Sequence, residues 1–125
     1  MSEVRNKKRV LVVHDDPVIA NTLALILHQS GFETRAAHCA EMAVEAATEL
    51  KPDVLISDAE LGPESGIDTA IRVRRDLPEC RVILLSEPAA TADLLKKAKR
   101  EGNFFEVLIK PVHPETFLAR LHNPN

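Results

Sequence analysis

Four short, near-continuous apolar runs recur along this chain: Val10-Leu11-Val12-Val13, Val54-Leu55-Ile56, Val82-Ile83-Leu84-Leu85 and Val107-Leu108-Ile109. Each is too short for a helix, rich in β-branched residues, and free of polar alternation. A strand that is apolar on both faces is buried on both faces, which is the habit of a parallel sheet covered by helices. A fifth, weaker stretch from Phe32 to Ala37 admits polar residues and is expected at a sheet edge.

The segments between these runs have helical spacing. Asp16-Pro17 reads as an N-cap followed by proline at the first helical position. Ile19, Leu23, Ile26 and Leu27 then share a face, and Ser30-Gly31 supplies the stop. Further helices are expected from Ala40 to Leu50, ended by Pro52, and from Ile67 to Asp76 with Ile67, Ala70 and Ile71 inward, ended by Pro78. Another is expected from Ala89 to Arg100, with Ala92, Leu95 and Ala98 inward and Gly102 as its stop. The last runs from Pro114 to Leu121 and buries Phe117, Leu118 and Leu121. Strand and helix alternate five times, which predicts an α/β fold: a five-stranded parallel sheet, doubly wound, in a three-layer (βα)5 sandwich. Residues 9–122 form this one domain, with tails at 1–8 and 123–125, and the five units take up almost the whole chain.

Composition narrows the function. The 125 residues include four Phe, no Trp and no Tyr, so the core is mainly aliphatic and there are almost no aromatics to spare for stacking single-stranded nucleic acid. The net charge of −3 gives no general basic field, so no direct nucleic-acid contact is expected. Cys39 and Cys80 cannot build a disulfide framework or a four-thiolate zinc site. No apolar run approaches the roughly 20 residues of a membrane span, and the charged start, Met1 to Arg9, precedes only four apolar residues, too few for a signal peptide. A reducing, cytoplasmic location is the expectation.

The residues that follow the buried runs carry the chemistry. The first run ends in His14-Asp15-Asp16, the second in Ser57-Asp58, the third in Ser86 and the fourth in Lys110-Pro111. Open parallel sheets bind ligands at the carboxyl ends of their strands. Separate strands thus bring carboxylates, a hydroxyl and an ammonium to one rim. Asp15 and Asp58 repel unless a cation lies between them, and short oxygen ligands suit a hard ion such as Mg²⁺. A carboxylate, Mg²⁺, a lysine and a hydroxyl are the parts needed to bind a phosphoryl group and accept it on an aspartate.

From about Arg9 to about Leu121 the sequence resembles the receiver domain of bacterial two-component response regulators, the CheY-like, flavodoxin-like fold. The resemblance rests on residues 10–17, on Asp58 followed by Leu61, Pro63 and Gly66, on Leu84-Leu85-Ser86 and on Ile109-Lys110-Pro111. It implies Asp58 as phosphoacceptor, Asp15 with Asp58 as Mg²⁺ ligands and the backbone carbonyl of Glu60 as a further ligand. It implies Ser86 as the switch hydroxyl and Lys110 as the pairing lysine. A histidine kinase or phosphotransfer protein would be the partner. The fourth helix, fifth strand and fifth helix would form an output face, through which a homodimer could form. Phosphoacceptance and its reversal would be self-catalysed, so the chain is not expected to be an enzyme in the ordinary sense.

Four positions depart from the family pattern. His14 replaces the first of two acids, and a neutral imidazole loosens Mg²⁺ binding while a protonated one opposes it. Glu87 stands where a small residue lets a phosphoryl group approach; it either swings outward or repels the phosphate. Val107 takes the place of the switch aromatic, and Phe104 and Phe105 read as core instead. Gly62-Pro63 inverts the usual order of the loop after Asp58. Asp16 suits helix capping better than metal binding, and the Lys96 to Arg100 cluster reads as a solvated face that complements the helix dipole.

These departures support an alternative, a receiver-like interaction module that works without phosphorylation; retention of Asp58, Asp15 and Lys110 argues against it. A Mg²⁺-dependent phosphohydrolase of the dehalogenase-like type wants Asp-x-Asp after the first strand, but Pro17 stands where the second Asp belongs. A flavin or dinucleotide site wants a Gly-rich loop there, and the chain has none.

Overall fold

The computed structural model describes residues 7–100 and 105–122. Its strands are β1 (Arg9–Val13), β2 (Glu33–Ala37), β3 (Val54–Asp58), β4 (Arg81–Ser86) and β5 (Glu106–Ile109). Its helices are α1 (Pro17–Gln29), α2 (Ala40–Leu50), α3 (Gly66–Asp76), α4 (Thr91–Arg100) and α5 (Pro114–His122). All five strands pair in parallel in the order β2-β1-β3-β4-β5. The polar fifth stretch becomes β2, at the edge, as its composition requires. A proposed helix stop at Gly102, the neighbouring Phe104 and the tail Asn123-Pro124-Asn125 lie outside the described residues.

The pleat sends successive side chains to opposite faces, and each face meets its own helices. Leu11, Val13, Leu55, Val82 and Leu84 pack with Ala43 and Ala47 of α2, Ala70 and Val73 of α3, and Leu94 and Ala98 of α4. Val10, Val12, Ile56, Ile83 and Leu85 pack on the other face against Leu23 and Leu27 of α1 and Phe117 and Leu121 of α5. Both faces of the central strands are buried, which explains why the runs are continuous rather than alternating. Phe105 joins the first of these clusters, with Val107 packed against it, so both serve as core.

Helix starts follow their caps. The Asp16 carboxylate accepts a hydrogen bond from the Val18 amide at 2.9 Å, with Pro17 at the first helical position, as expected. Two helix faces differ from expectation. Ile19 is 46% exposed and lines a groove between α1 and the start of α5 instead of entering the core. In α4 the inward residues are Leu94 and Ala98, while Ala92 and Leu95 face solvent. That helix begins at Thr91, after a 3₁₀ turn at Pro88–Ala90, and the Thr91 hydroxyl donates back to the Glu87 carbonyl at 2.9 Å.

Between β3 and α3 lies a small antiparallel hairpin, Glu60–Leu61 against Glu64–Ser65, that the hydrophobic pattern did not announce. Gly62 makes its turn at φ 64°, in the left-handed region open to glycine. Leu61 anchors it in the core at 2% exposure. Glu64 reaches across to accept a hydrogen bond from the Ala40 amide at 3.0 Å, capping α2, whose own N-cap residue Cys39 makes no side-chain cap.

Candidate functional site

Strand register assembles the site. Val13 lies beside Ser57, so the next residues, His14 and Asp58, are neighbours across β1 and β3. Ser86 lies beside Ile109, and the Lys110 amide donates to the Ser86 carbonyl at 2.8 Å, which brings the lysine in from β5. The Lys110–Pro111 peptide is cis. The gap between β1 and β3 is the point where the winding of the sheet reverses, the usual place for a ligand.

Asp58 is buried, at 5% exposure, and is the centre of the arrangement. Its Oδ2 accepts a hydrogen bond from Lys110 Nζ at 2.5 Å, and its Oδ1 accepts one from the Glu60 amide at 3.0 Å. His14 Nε2 lies 3.0 Å from the same Oδ2, and His14 Nδ1 lies 3.3 Å from Asp15 Oδ1. The Asp16 amide donates to His14 Nδ1 at 3.0 Å. An amide only donates, so Nδ1 carries a lone pair and the neutral ring holds its proton on Nε2, toward Asp58.

Lys110 balances two acids. Glu87 Oε2 lies 3.5 Å from Lys110 Nζ, so this largely exposed carboxylate leans toward the lysine. Burial works against the ammonium, but the hydrogen bond and charge of Asp58, with Glu87 adding to them, outweigh it and hold the Lys110 pKa above its ordinary value. The lysine therefore stays cationic beside Asp58.

Ser86 is buried and lines a second groove, about 390 Å³ in volume, together with Asp58, Glu60, Ser65 and Lys97. Its hydroxyl lies 3.1 Å from both the Glu87 carbonyl oxygen and Thr91 Oγ1; because Thr91 gives its own proton to the Glu87 carbonyl at 2.9 Å, the single Ser86 proton is free to go to Thr91 Oγ1. Thr91 is a residue that sequence reasoning missed; the signal was a second hydroxyl five positions after Ser86, at a helix start placed two residues too early. Glu60 contributes its amide to Asp58; its side chain is exposed. Lys97 pairs with Asp68 of α3 at 3.3 Å, and its cluster is otherwise solvated.

The donor set bears on which cation would fit here. His14, Asp15 and Asp58 each offer a ligand atom, and these atoms lie within 4.8 Å of one another. The two carboxylates suit Mg²⁺, which binds through one or two carboxylates and keeps much of its water. His14 brings no oxygen to this set. Among the described residues, no helix is long and apolar enough to cross a membrane.

Comparison with known proteins follows the same lines. A family model described as "Response regulator receiver domain" matches residues 10–122. The DNA-binding response regulator MtrA of Mycolicibacterium smegmatis is 31% identical over 115 residues, covering 92% of this chain and 49% of that protein. The chain thus spans about half the length of the curated relatives it matches. Among solved structures, chemotaxis protein CheY4 of Vibrio cholerae superposes with a TM-score of 0.82 at 25% identity, covering 93% of this chain and 97% of that one. A response regulator receiver domain protein from Clostridium thermocellum gives 0.81 at 26% identity, with 93% and 92% covered.

Proposed function

This chain belongs to the response regulator receiver domain family, and on that premise we propose that it is a phosphoaccepting switch, with Asp58 as the acceptor. The observation that carries the proposal is the pair of donors on one buried carboxylate, Lys110 Nζ at 2.5 Å and the Glu60 amide at 3.0 Å. An inert surface carboxylate has no need of a half-buried lysine delivered from another strand.

A histidine kinase or phosphotransfer protein is the proposed donor. A carboxylate oxygen of Asp58 forms the new P–O bond as the P–N bond of the donor's phosphohistidine breaks. The electron pair of that bond stays on the donor nitrogen. Mg²⁺, bound by Asp15, Asp58 and the Glu60 carbonyl, would offset negative charge on the transferring phosphoryl oxygens. Lys110 neutralises the acceptor before transfer and pairs with the phosphoryl group after it. Ser86 then turns from Thr91 toward a phosphoryl oxygen, and the change passes to the face made by α4, β5 and α5. Leu95, 48% exposed, and Ile109, 52% exposed, give that face an apolar surface for a partner or a second copy. The reaction is self-catalysed on a cytoplasmic domain, and no nucleic-acid contact is assigned to these residues.

One observation favours a second reading, a module that signals without phosphate. His14 and Lys110 both approach Asp58 Oδ2, and Glu87 already sits against Lys110. One experiment separates the two. The protein is incubated with a small phosphodonor and Mg²⁺, and its intact mass is followed beside an Asp58→Ala control. Gain of one phosphoryl group, lost in the control, is expected. No modification over a range of Mg²⁺ concentrations favours the second reading.

A further inference from the structure

We propose that the His14 imidazole is a built-in competitor for the divalent cation, filling the gap between Asp15 and Asp58 that the cation must enter. The inference rests on the receiver reading of this site and extends it to how the site is loaded. The ring spans the two carboxylates, with Nδ1 3.3 Å from Asp15 Oδ1 and Nε2 3.0 Å from Asp58 Oδ2. A cation bridging those acids, at the roughly 2.0–2.1 Å distances that Mg²⁺ demands, needs the same space.

The ring is not arranged as a ligand. Its Nδ1 lone pair is taken by the Asp16 amide at 3.0 Å, which leaves the proton on Nε2, the atom nearest Asp58. A protonated nitrogen has no lone pair to give a metal. It does place partial positive charge beside a buried carboxylate, which is a weak form of what a cation supplies. Asp58 is therefore stabilised in the cation-free protein by Lys110, the Glu60 amide and the imidazole together. Mg²⁺ binds only when the ring swings away, and the lost contact is subtracted from its affinity.

Three roles for His14 predict three different results. A competitor gives way when truncated, so His14→Ala binds Mg²⁺ more tightly. A ligand is lost when truncated, so His14→Ala binds more weakly. A bystander leaves affinity unchanged.

Mg²⁺ is titrated calorimetrically into the wild-type chain, His14→Ala and His14→Asp, with Asp15→Asn as a control. Calorimetry suits a chain without Trp or Tyr to report by fluorescence. The expected result is affinity raised about threefold to tenfold in His14→Ala, the equivalent of one modest polar contact. A larger rise is expected in His14→Asp, which also adds an oxygen ligand. The same titration followed by the His14 ring resonances in the wild type should show them move as Mg²⁺ binds. Unchanged or weaker binding in His14→Ala overturns the proposal, whereas tighter binding in His14→Asp alone shows a missing ligand and no competition. No binding in any of these chains, His14→Asp included, overturns the cation site itself, a different outcome from a flat His14→Ala. Thermal melts of each variant establish that it is folded.

Discussion

Gly66, the first residue of α3, packs so closely on β3 that a Cβ at its position would stand 2.0 Å from the carbonyl oxygen of Asp58. It would also lie 3.0 Å from the Cα of Ala59, and the Gly66 amide donates to the Ala59 carbonyl at 2.7 Å. Both obstacles are backbone, so neither can swing aside. Gly66→Ala must push α3 outward or move the end of β3, which carries the acceptor. We expect a loss of about 1–3 kcal/mol, as for other overpacked sites, and slower phosphorylation of Asp58. Urea denaturation and the rate of mass gain with a small phosphodonor check the two effects. An Ala variant as stable as the wild type would mean that the helix start yields freely.

The sheet could be read from the sequence because burial on both faces leaves a mark that needs no partner to interpret. The Asp16 cap was legible for the same reason, since an N-cap and its amide are two residues apart. The inward face of α4 was not. Leu94 and Leu95 are adjacent, and Ala98 is one helical turn from either, so spacing cannot choose between them. The choice is made by packing, since Leu94 and Ala98 enter the core beside Leu84 and Phe105, which lie outside the helix. Asp58, Asp15, Ser86 and Lys110 were legible as strand ends and family motif residues. The position of His14 against Asp58 was not, because it depends on the register of Val13 with Ser57 across two strands far apart in sequence.

Glu64 caps a helix that begins 24 residues earlier, and this ties the loop after Asp58 to α2. Cys39 occupies the N-cap position with extended backbone but offers no side-chain acceptor to the helix. Glu64→Ala should therefore cost about 1 kcal/mol, the usual value of a lost cap. Adding Cys39→Asp supplies a local acceptor and should restore most of that loss. Urea midpoints of the single and double variants measure it. Failure of Cys39→Asp to rescue would place the role of Glu64 in the hairpin rather than at the helix end.

Thr91 joins the Ser86 hydroxyl to the first turn of α4, with the two oxygens 3.1 Å apart. If Ser86 leaves Thr91 for a phosphoryl oxygen, the start of α4 loses a bond on phosphorylation. Val107 offers no aromatic ring to carry the signal, which makes this the hydroxyl-to-helix connection to test. Thr91→Val removes the bond in both states. Hydrogen exchange of the α4 amides should then respond less to phosphorylation than in the wild type, while Asp58 is still modified. An undiminished response in Thr91→Val would route the signal elsewhere.

Acid stability should be governed in part by the opposite end of the sheet. Arg81 on β4 makes two hydrogen bonds to the Glu106 carboxylate on β5, and Arg120 on α5 approaches it at 3.3 Å. The Arg81 hydrogen bonds hold the Glu106 carboxyl below its ordinary value of 4.5 against the opposing effect of burial, and the charges of Arg81 and Arg120 add to the lowering. A depressed folded-state pKa means that the unfolded chain binds the proton more readily. The contribution to stability is thus fully present above about 4.5 and is lost as pH falls through the lower, folded-state value. Glu106→Gln should be less stable than the wild type at neutral pH, and the gap should narrow as acid protonates the wild-type carboxyl. Urea midpoints of both chains, measured at neutral pH and at pH about 3, test this, because the pair is partly exposed and salt screens it. A gap that stays constant with pH would assign the role of Glu106 to packing alone.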